Sequence, residues 1–382
     1  MSWPYQPFES LYAIPSRNGL SRPSSVRGYG TKMINMGELV AHDRIGNIDM
    51  ELVTVNERES REMLVKEGDL LFARQSLVLS GAGKCSIVKE VEEPTTFESH
   101  IIRVRLNKAL SDPMFYHYYF KSPSSSMVSI VTQGVQAGIR GSDLKQLPVP
   151  VPSIDIQNRI SKILATYDTM IETNRRRMAL LEESARLLYR EWFVRLRFPG
   201  YEHTRVVDGV PEGWELTPFE DALVLQRGFD LPVQDRHEGT VPIYGSMGIN
   251  GYHNTAKVSG PGIVTGRSGT LGEVQYVSED YWPLNTSLWV KEFKRVSVFF
   301  TLFMMREMDL KQYNGGASVP TLDRKAVHRV EILTPPKKLI TLFDDFCSPI
   351  FSQIINLKAQ NQKLQTARDL LLPRLMNGEI AV

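Results

Sequence analysis

The sequence predicts an α+β protein in which two similar mixed domains alternate with two long helices that partner each other. One observation is a narrow apolar strip at Ile156, Ile160, Ile163, Tyr167, Met170, Asn174, Met178, Leu181, Ala185, Leu188 and Trp192, stepping by fours and threes. A second is its recurrence 183 residues later, at Leu339, Phe343, Phe346, Ile350, Gln353, Leu357, Asn361, Leu364, Arg368, Leu371 and Leu375. A third is that each strip follows a proline-rich lead-in and a region of short β-prone runs. A strip this narrow suits a helix whose seam meets another helix rather than a broad core. The chain thus reads as domain, helix, domain, helix: two heads on a rigid spacer.

The first region, 1–152, mixes β-rich runs with turn signals. Asp69-Leu70-Leu71-Phe72-Ala73 predicts a strand entering the loop Arg74–Gly83, and Ser99–Val104 predicts another. Met114–Phe120 is an aromatic run matched in the second half by Val296–Met305, read as a buried helix. Leu147-Pro148-Val149-Pro150-Val151-Pro152 admits no helix and leads, extended, to a cap at Ser153 or Asp155. The helix then runs from about Ile156 to Phe193, roughly 55 Å at 1.5 Å per residue. Its four-four step through Asn174 is a stutter that relaxes a left-handed supercoil. Asn174 either fixes register on the seam or faces water at a loosened turn.

Phe198-Pro199-Gly200-Tyr201 ends the helix, and Pro211-Glu212-Gly213-Trp214 opens the second region. This region is glycine-rich at 245–251 and 260–269 and closes on Leu333-Thr334-Pro335-Pro336. In the last helix, Pro349 is expected to kink the first turns or delay the start, and Pro373 with Gly378 to end it.

Composition narrows the function. At 382 residues the chain holds two ordinary domains, and its 45 basic and 43 acidic side chains leave no polycationic arm. A nucleic-acid partner would require locally arranged charge or help from another subunit. Cys85 and Cys347 are the only cysteines, which excludes a disulfide framework and fits a reducing cytoplasm. The N-terminus has no signal core, and Val296–Met305 is too short to span a bilayer, so no membrane partner is expected.

Chemistry is hard to find. Gly81-Ala82-Gly83-Lys84-Cys85 lacks the earlier glycine and the hydroxyl residue of a phosphate loop and reads as a turn. The seven histidines are scattered, and no metal site is expected. No dinucleotide or adenosylmethionine loop occurs, and Asp143-x-Lys145 sits on a predicted helix without an acidic partner. The chain is expected to catalyse nothing. What remains is a binding surface. Ser246, Asn250 and Tyr252 offer hydroxyl, amide and phenol groups on a glycine loop. Arg267 and Ser268 lie between glycines that admit close approach, and Arg74, Gln75 and Ser76 are their first-half parallel. Asparagine pairs bidentately with adenine and arginine with guanine. Singly, each residue also fits an ordinary surface turn; as a repeated pair of loops, they favour binding.

The arrangement resembles the specificity (S, HsdS-like) subunit of type I restriction–modification systems over essentially the whole chain. The segments that carry this are Leu147–Ser153 running into Ile156-Gln157-Asn158-Arg159-Ile160, Leu187–Phe193, Arg197–Tyr201, Pro211–Glu215, Gly266–Gly272 and Leu371–Ile380. The resemblance implies target-recognition domains at 1–152 and 205–336, each reading half of a split, asymmetric site in double-stranded DNA. It implies that the helices, within 153–204 and 337–382, pack antiparallel as a coiled coil. Ile156, Ile160, Ile163, Tyr167, Asn174, Leu181, Leu188, Trp192, Phe343, Phe346, Leu357, Leu364 and Leu371 would form that seam or meet partners. Two methyltransferase (M) subunits would carry S-adenosylmethionine and methylate adenine N6, and motor-nuclease (R) subunits would use ATP and Mg, so this chain would hold no cofactor. The opening Ser2-Trp3-Pro4-Tyr5 departs from the Pro-x-Gly-Trp pattern, leaving the first domain's reading residues less defined. A specificity partner of a fused restriction–methylation or related phage-defence system, and a DNA-independent coiled-coil scaffold, are the alternatives.

Overall fold

Both proline lead-ins are strands, and each is paired by the segment that opens its own domain. The computed structural model, which describes residues 3–134, 136–316 and 318–382, pairs Tyr5–Pro7 antiparallel with Pro148–Pro150, and Glu215–Pro218 with Glu331–Thr334. Prolines are tolerated here because each ribbon has only two strands, so a missing N–H faces no neighbour. Met1 and Ser2 of the opening phrase lie outside the described residues. Trp3 nevertheless stands where Trp214 stands: Phe8 and Phe219, each five residues on, both donate their amide to the far end of the lead-in, at Leu147 and Val330. Trp3 packs on Phe115, and Trp214 on Phe193 and Phe198.

The chain folds as two compact units, Met1–Glu172 with Asn361–Val382, and Thr173–Gln360. The first unit's main sheet has the order Tyr12–Asn18, Ile101–Leu106, Leu70–Ala73, Cys85–Val88, Arg44–Ile45. The second unit's has the order Leu223–Arg227, Ser287–Phe293, Gly262–Gly266, Val274–Val277. These are the same four strands in the same order, with one addition in the first unit. A smaller sheet follows the same rule: Glu51–Val53, Arg27–Ile34, Thr95–Phe97 in the first, and Gly248–His253, Val241–Gly245, Trp282–Pro283 in the second. In both, the middle strand pairs antiparallel on one side and parallel on the other.

The chain passes from large sheet to small at Gly19 and at Gly228. A side chain there would stand 2.1 Å from the Phe97 carbonyl oxygen and 2.2 Å from that of Leu284, so only glycine lets the backbones approach. The added strand of the first unit lies on an excursion between Ile34 and Glu51, where the second unit has a tight turn at Ser246-Met247.

Each unit buries one short apolar helix against its sheet, Pro113–Lys121 capped by Asp112 and Val298–Glu307 capped by Ser297. Both are hydrophobic nearly all round, as a helix covered on every side must be.

The central helix spans Ile154–Tyr189, starting directly after Ser153, and adds a π turn at Arg190–Val194. The C-terminal helix spans Lys337–Met376. Pro349 neither delays nor ends it. Pro349 and Asp345, whose carbonyl loses its i+4 partner, both face solvent, where water replaces the lost bond. Pro373 falls inside the last turn. The helix ends at Gly378, whose φ is 68°, with Gly378 donating to Leu375 and Glu379 to Arg374 in a Schellman arrangement.

The helices run antiparallel. In the first unit Asp168 meets Arg368 while Ile171 meets Asn361; in the second, Tyr189 meets Phe343. The buried line departs from the strict heptad. In the first unit it runs Ile160, Leu164, Asp168, Ile171, with Ile163 37% and Met170 51% exposed and Ile156 and Tyr167 at its margin. In the second it runs Leu339, Phe343, Cys347, Phe351, Ile354, Leu357, and Phe346 is 42% exposed. Ile163 and Phe346 are thus off the seam. Leu181, Leu188 and Trp192, and in the first unit Leu364 and Leu371, are partly buried. The reason is that each helix also lies on its domain core: Phe351 touches Phe299 and Tyr276 at 4.8 and 4.9 Å, and Asp168 reaches Tyr118. Two contacts demand a broader face than one seam. Asn174 is buried, not turned to water.

Candidate nucleic-acid interface

The strand Leu70–Ala73 ends at Arg74, and the equivalent strand Gly262–Gly266 ends at Arg267. The Arg74 amide donates to the His100 carbonyl at 2.8 Å, and its carbonyl accepts from Ile139 at 2.9 Å. The Arg267 amide donates to Thr286 at 2.9 Å, and its carbonyl accepts from Leu322 at 2.8 Å. The backbone around the two arginines is therefore built the same way, once per unit. Arg267 also donates Nη1–H to the Asn285 carbonyl at 3.0 Å, which aims its guanidinium along the strand ends.

In the second unit a hairpin carries Ser246, Asn250 and Tyr252 and brings Ser246 to the arginine strand end. Ser246 is the first residue of the tight turn joining Val241–Gly245 to Gly248–His253. A side chain at Gly266 would lie 3.0 Å from the Ser246 carbonyl oxygen, which places Ser246 beside Arg267 and Ser268. Asn250 and Tyr252 follow on the second strand of the hairpin, and Tyr252 is 53% exposed. Arg236, which carries no motif, donates to both the backbone and the side-chain oxygen of Asn250, at 2.9 and 3.1 Å. Asn250 is thereby held through both its carbonyl and its side-chain oxygen. Burial, with the nearby Glu279 and Tyr252, pushes the Tyr244 phenol up to about 12, so it stays neutral under this loop.

The first unit has no matching hairpin tip, because the excursion Asn35–Met50 replaces it. Gln75 and Ser76 form a short strand with Ala137–Gly138, and the Ser76 hydroxyl accepts the Val78 amide at 3.2 Å. Ser76 is therefore engaged in its own turn. Arg74, Gln75 and Ser76 are each half-buried.

Among the described residues no cluster of three or more histidine, cysteine or carboxylate groups could hold a metal, and no helix is long and apolar enough to cross a membrane. Gly81–Cys85 runs from a 3-10 turn into the strand Cys85–Val88 and forms no phosphate cradle.

Comparison with known proteins bears on the whole chain. The family described as type I restriction modification DNA specificity domain matches residues 27–183. The specificity subunit of type I restriction enzyme MjaIX from Methanocaldococcus jannaschii is 24% identical, over 88% of this chain and 85% of that protein. The chain belongs to the specificity subunits of type I restriction–modification systems. The HindI specificity subunit of Haemophilus influenzae is 21% identical over 83% of this chain and 87% of its own. The EcoKI specificity subunit of Escherichia coli K12 is 29% identical over 43% of this chain and 36% of its own. The crystal structure of an S subunit from M. genitalium shares the fold, with a TM-score of 0.61 at 15% identity, covering 98% of this chain and 96% of that one. As a specificity subunit, the chain is the non-catalytic DNA-specificity component of a multisubunit restriction enzyme.

Proposed function

We propose that each unit reads one half of a bipartite, asymmetric site in double-stranded DNA, with recognition domains at 1–152 and 205–336 carried on the helices of 153–204 and 337–382. The observation that supports this best is the twofold occurrence of one backbone arrangement around Arg74 and Arg267. In the second unit Ser246 lies beside Arg267 and Ser268, Asn250 and Tyr252 follow on the same hairpin, and an amide and a guanidinium suit adenine and guanine edges in a major groove. In the first unit Arg74 and Gln75 take this part, with Ser76 supporting their loop.

On this reading two methyltransferase subunits dock on the chain and supply S-adenosylmethionine, base flipping and transfer to adenine N6. Motor-nuclease subunits supply ATP and Mg when unmodified DNA is cut. The chain itself supplies position. The test is to exchange residues 205–336 for the corresponding domain of a relative and to map methylated adenines in genomic DNA. One half-site should change and the other persist; a change in both halves, or in neither, refutes independent reading.

A further inference from the structure

We propose that each unit carries a cationic groove for the DNA phosphate backbone, adjoining the residues suited to read bases, with Arg267 standing where the two meet in the second unit. It rests on the reading that DNA is the ligand, and adds which surface holds the strand.

The grooves occur at equivalent places and each encloses about 410 Å³. In the first unit the walls are the end of the strand Tyr12–Asn18 and the short helix Gly141–Gln146, with Ile102 on the floor. In the second they are Arg227, ending the equivalent strand, and the short helix Arg324–His328, with Leu288 on the floor. Ile102 pairs with Asn18 and Leu288 with Arg227, so the floors correspond residue for residue.

Their charge is one-sided. Arg227, Arg267, Arg324 and Lys325 line the second groove against a single acid, Asp323. The Asp323 carboxylate is occupied in capping the helix, accepting the amides of Lys325 and Ala326 at 2.9 and 3.2 Å. Arg17 and Lys145 line the first groove, with no acid among its lining residues. Arg17 is paired with Glu62, and Arg227 lies 3.5 Å from Asp230. Among the described residues no carboxylate lies within ion-pair distance of Lys145, Arg267, Arg324 or Lys325. Cations without a carboxylate, gathered at equivalent places in both units, mark a surface that an anion completes. Flexible lysines beside arginines, with hydroxyl and amide groups and no shaped slot for a base, suit a phosphodiester more than a base edge. The second groove, with more uncompensated cations, should grip harder than the first.

The test uses the full chain and two labelled duplexes of equal length, one holding the site mapped by methylation and one scrambled. Affinities are measured between 50 and 200 mM salt for the wild type, Lys325→Glu, Arg324→Ala with Lys325→Ala, and Lys145→Ala. Each phosphate contact contributes about 0.9 to the slope of log affinity against log salt. The double variant should therefore lose about 1.8 of slope and Lys145→Ala about 0.9, with both duplexes weakened by one factor and their ratio kept. Lys325 is exposed, so Lys325→Glu removes a contact without touching the core and should weaken both duplexes equally. Unchanged slopes overturn the proposal. A changed ratio between duplexes also overturns it, because the groove would then read bases. A wild-type chain that binds neither duplex, alone or with its methyltransferase, refutes DNA reading itself.

Discussion

Replacing Asp168 by alanine is expected to loosen the first unit and leave the second intact. The carboxylate accepts the Tyr118 hydroxyl at 2.6 Å and Arg368 Nη1 at 2.5 Å, and lies 3.2 Å from Arg44. It thus ties a domain helix, the excursion strand and the C-terminal helix to the central helix. Burial alone would raise this carboxyl, but the hydrogen bonds from Tyr118 and Arg368 and the charges of Arg44 and Arg368 outweigh it and hold it below the usual carboxylate range. Its contribution is therefore full at neutral pH and lost as pH falls below about 4. Removing one partner of a buried ion pair costs about 3–5 kcal/mol. Arg368 keeps Asp369 at 2.7 Å and Arg44 keeps the Tyr118 oxygen at 2.6 Å, which puts the loss at the lower end, about 3 kcal/mol. Since about 1.4 kcal/mol is a factor of ten, amides in Pro113–Lys121 should exchange with deuterium roughly a hundredfold faster. Those in Val298–Glu307 should not change. Replacing all three members, Asp168→Leu with Arg44→Met and Arg368→Met, should recover most of the loss, because no buried charge is then left unpaired. An effect below tenfold, or one equal in both units, refutes the reasoning.

His117 is buried with neither ring nitrogen bonded, and burial, aided by Lys121, pushes it down to about 3. The unfolded chain takes up a proton that the folded chain refuses, so the wild type should lose about 1.4 kcal/mol per pH unit below about 6.5. His117→Leu, matching Leu302 of the second unit, should abolish that slope; parallel urea midpoints at pH 7.5 and 5 for both proteins would contradict it. Gly19→Ala and Gly228→Ala should each cost about 3 kcal/mol, since the new methyl meets a carbonyl oxygen that belongs to a sheet. Thermal melts with shifts of less than a degree would show that the strand crossings relax freely.

The alternation of domains and helices was legible because it rests on composition that repeats: proline lead-ins, a buried aromatic helix, and four-three spacing. The phase of the seam was less legible. Counting apolar residues selects Ile163 and Tyr167 and passes over Asp168, whose carboxylate is buried only because Arg44, Tyr118 and Arg368 arrive from distant segments. Phe346 misleads for the same reason, since the helix turns Cys347 and Phe351 toward the domain it covers. Pro349 looked disruptive because sequence does not say which side of a helix water reaches. At the candidate interface Arg267 was found from its flanking glycines and Arg74 as its first-half parallel at the end of a β-prone run. Arg236, Arg324 and Lys325 carry no local signal, and only the fold brings them beside Asn250 and Arg267.

Each helix meets its own domain through a different kind of contact. The position 183 residues beyond Asp168 is Phe351, which packs on Tyr276 and Phe299, and Arg44 comes from an excursion that the second unit lacks. A gene with an internal duplication is open to sequence transfer between its copies by gene conversion. Were residues 154–172 and 337–355 exchanged in this way, a phenylalanine would stand before two partly buried guanidinium groups, and a carboxylate would stand among aromatic rings. Both products would fold poorly. The paired contacts therefore act as addresses, which let the recognition domains diverge while each helix segment stays matched to the half of the molecule that it serves.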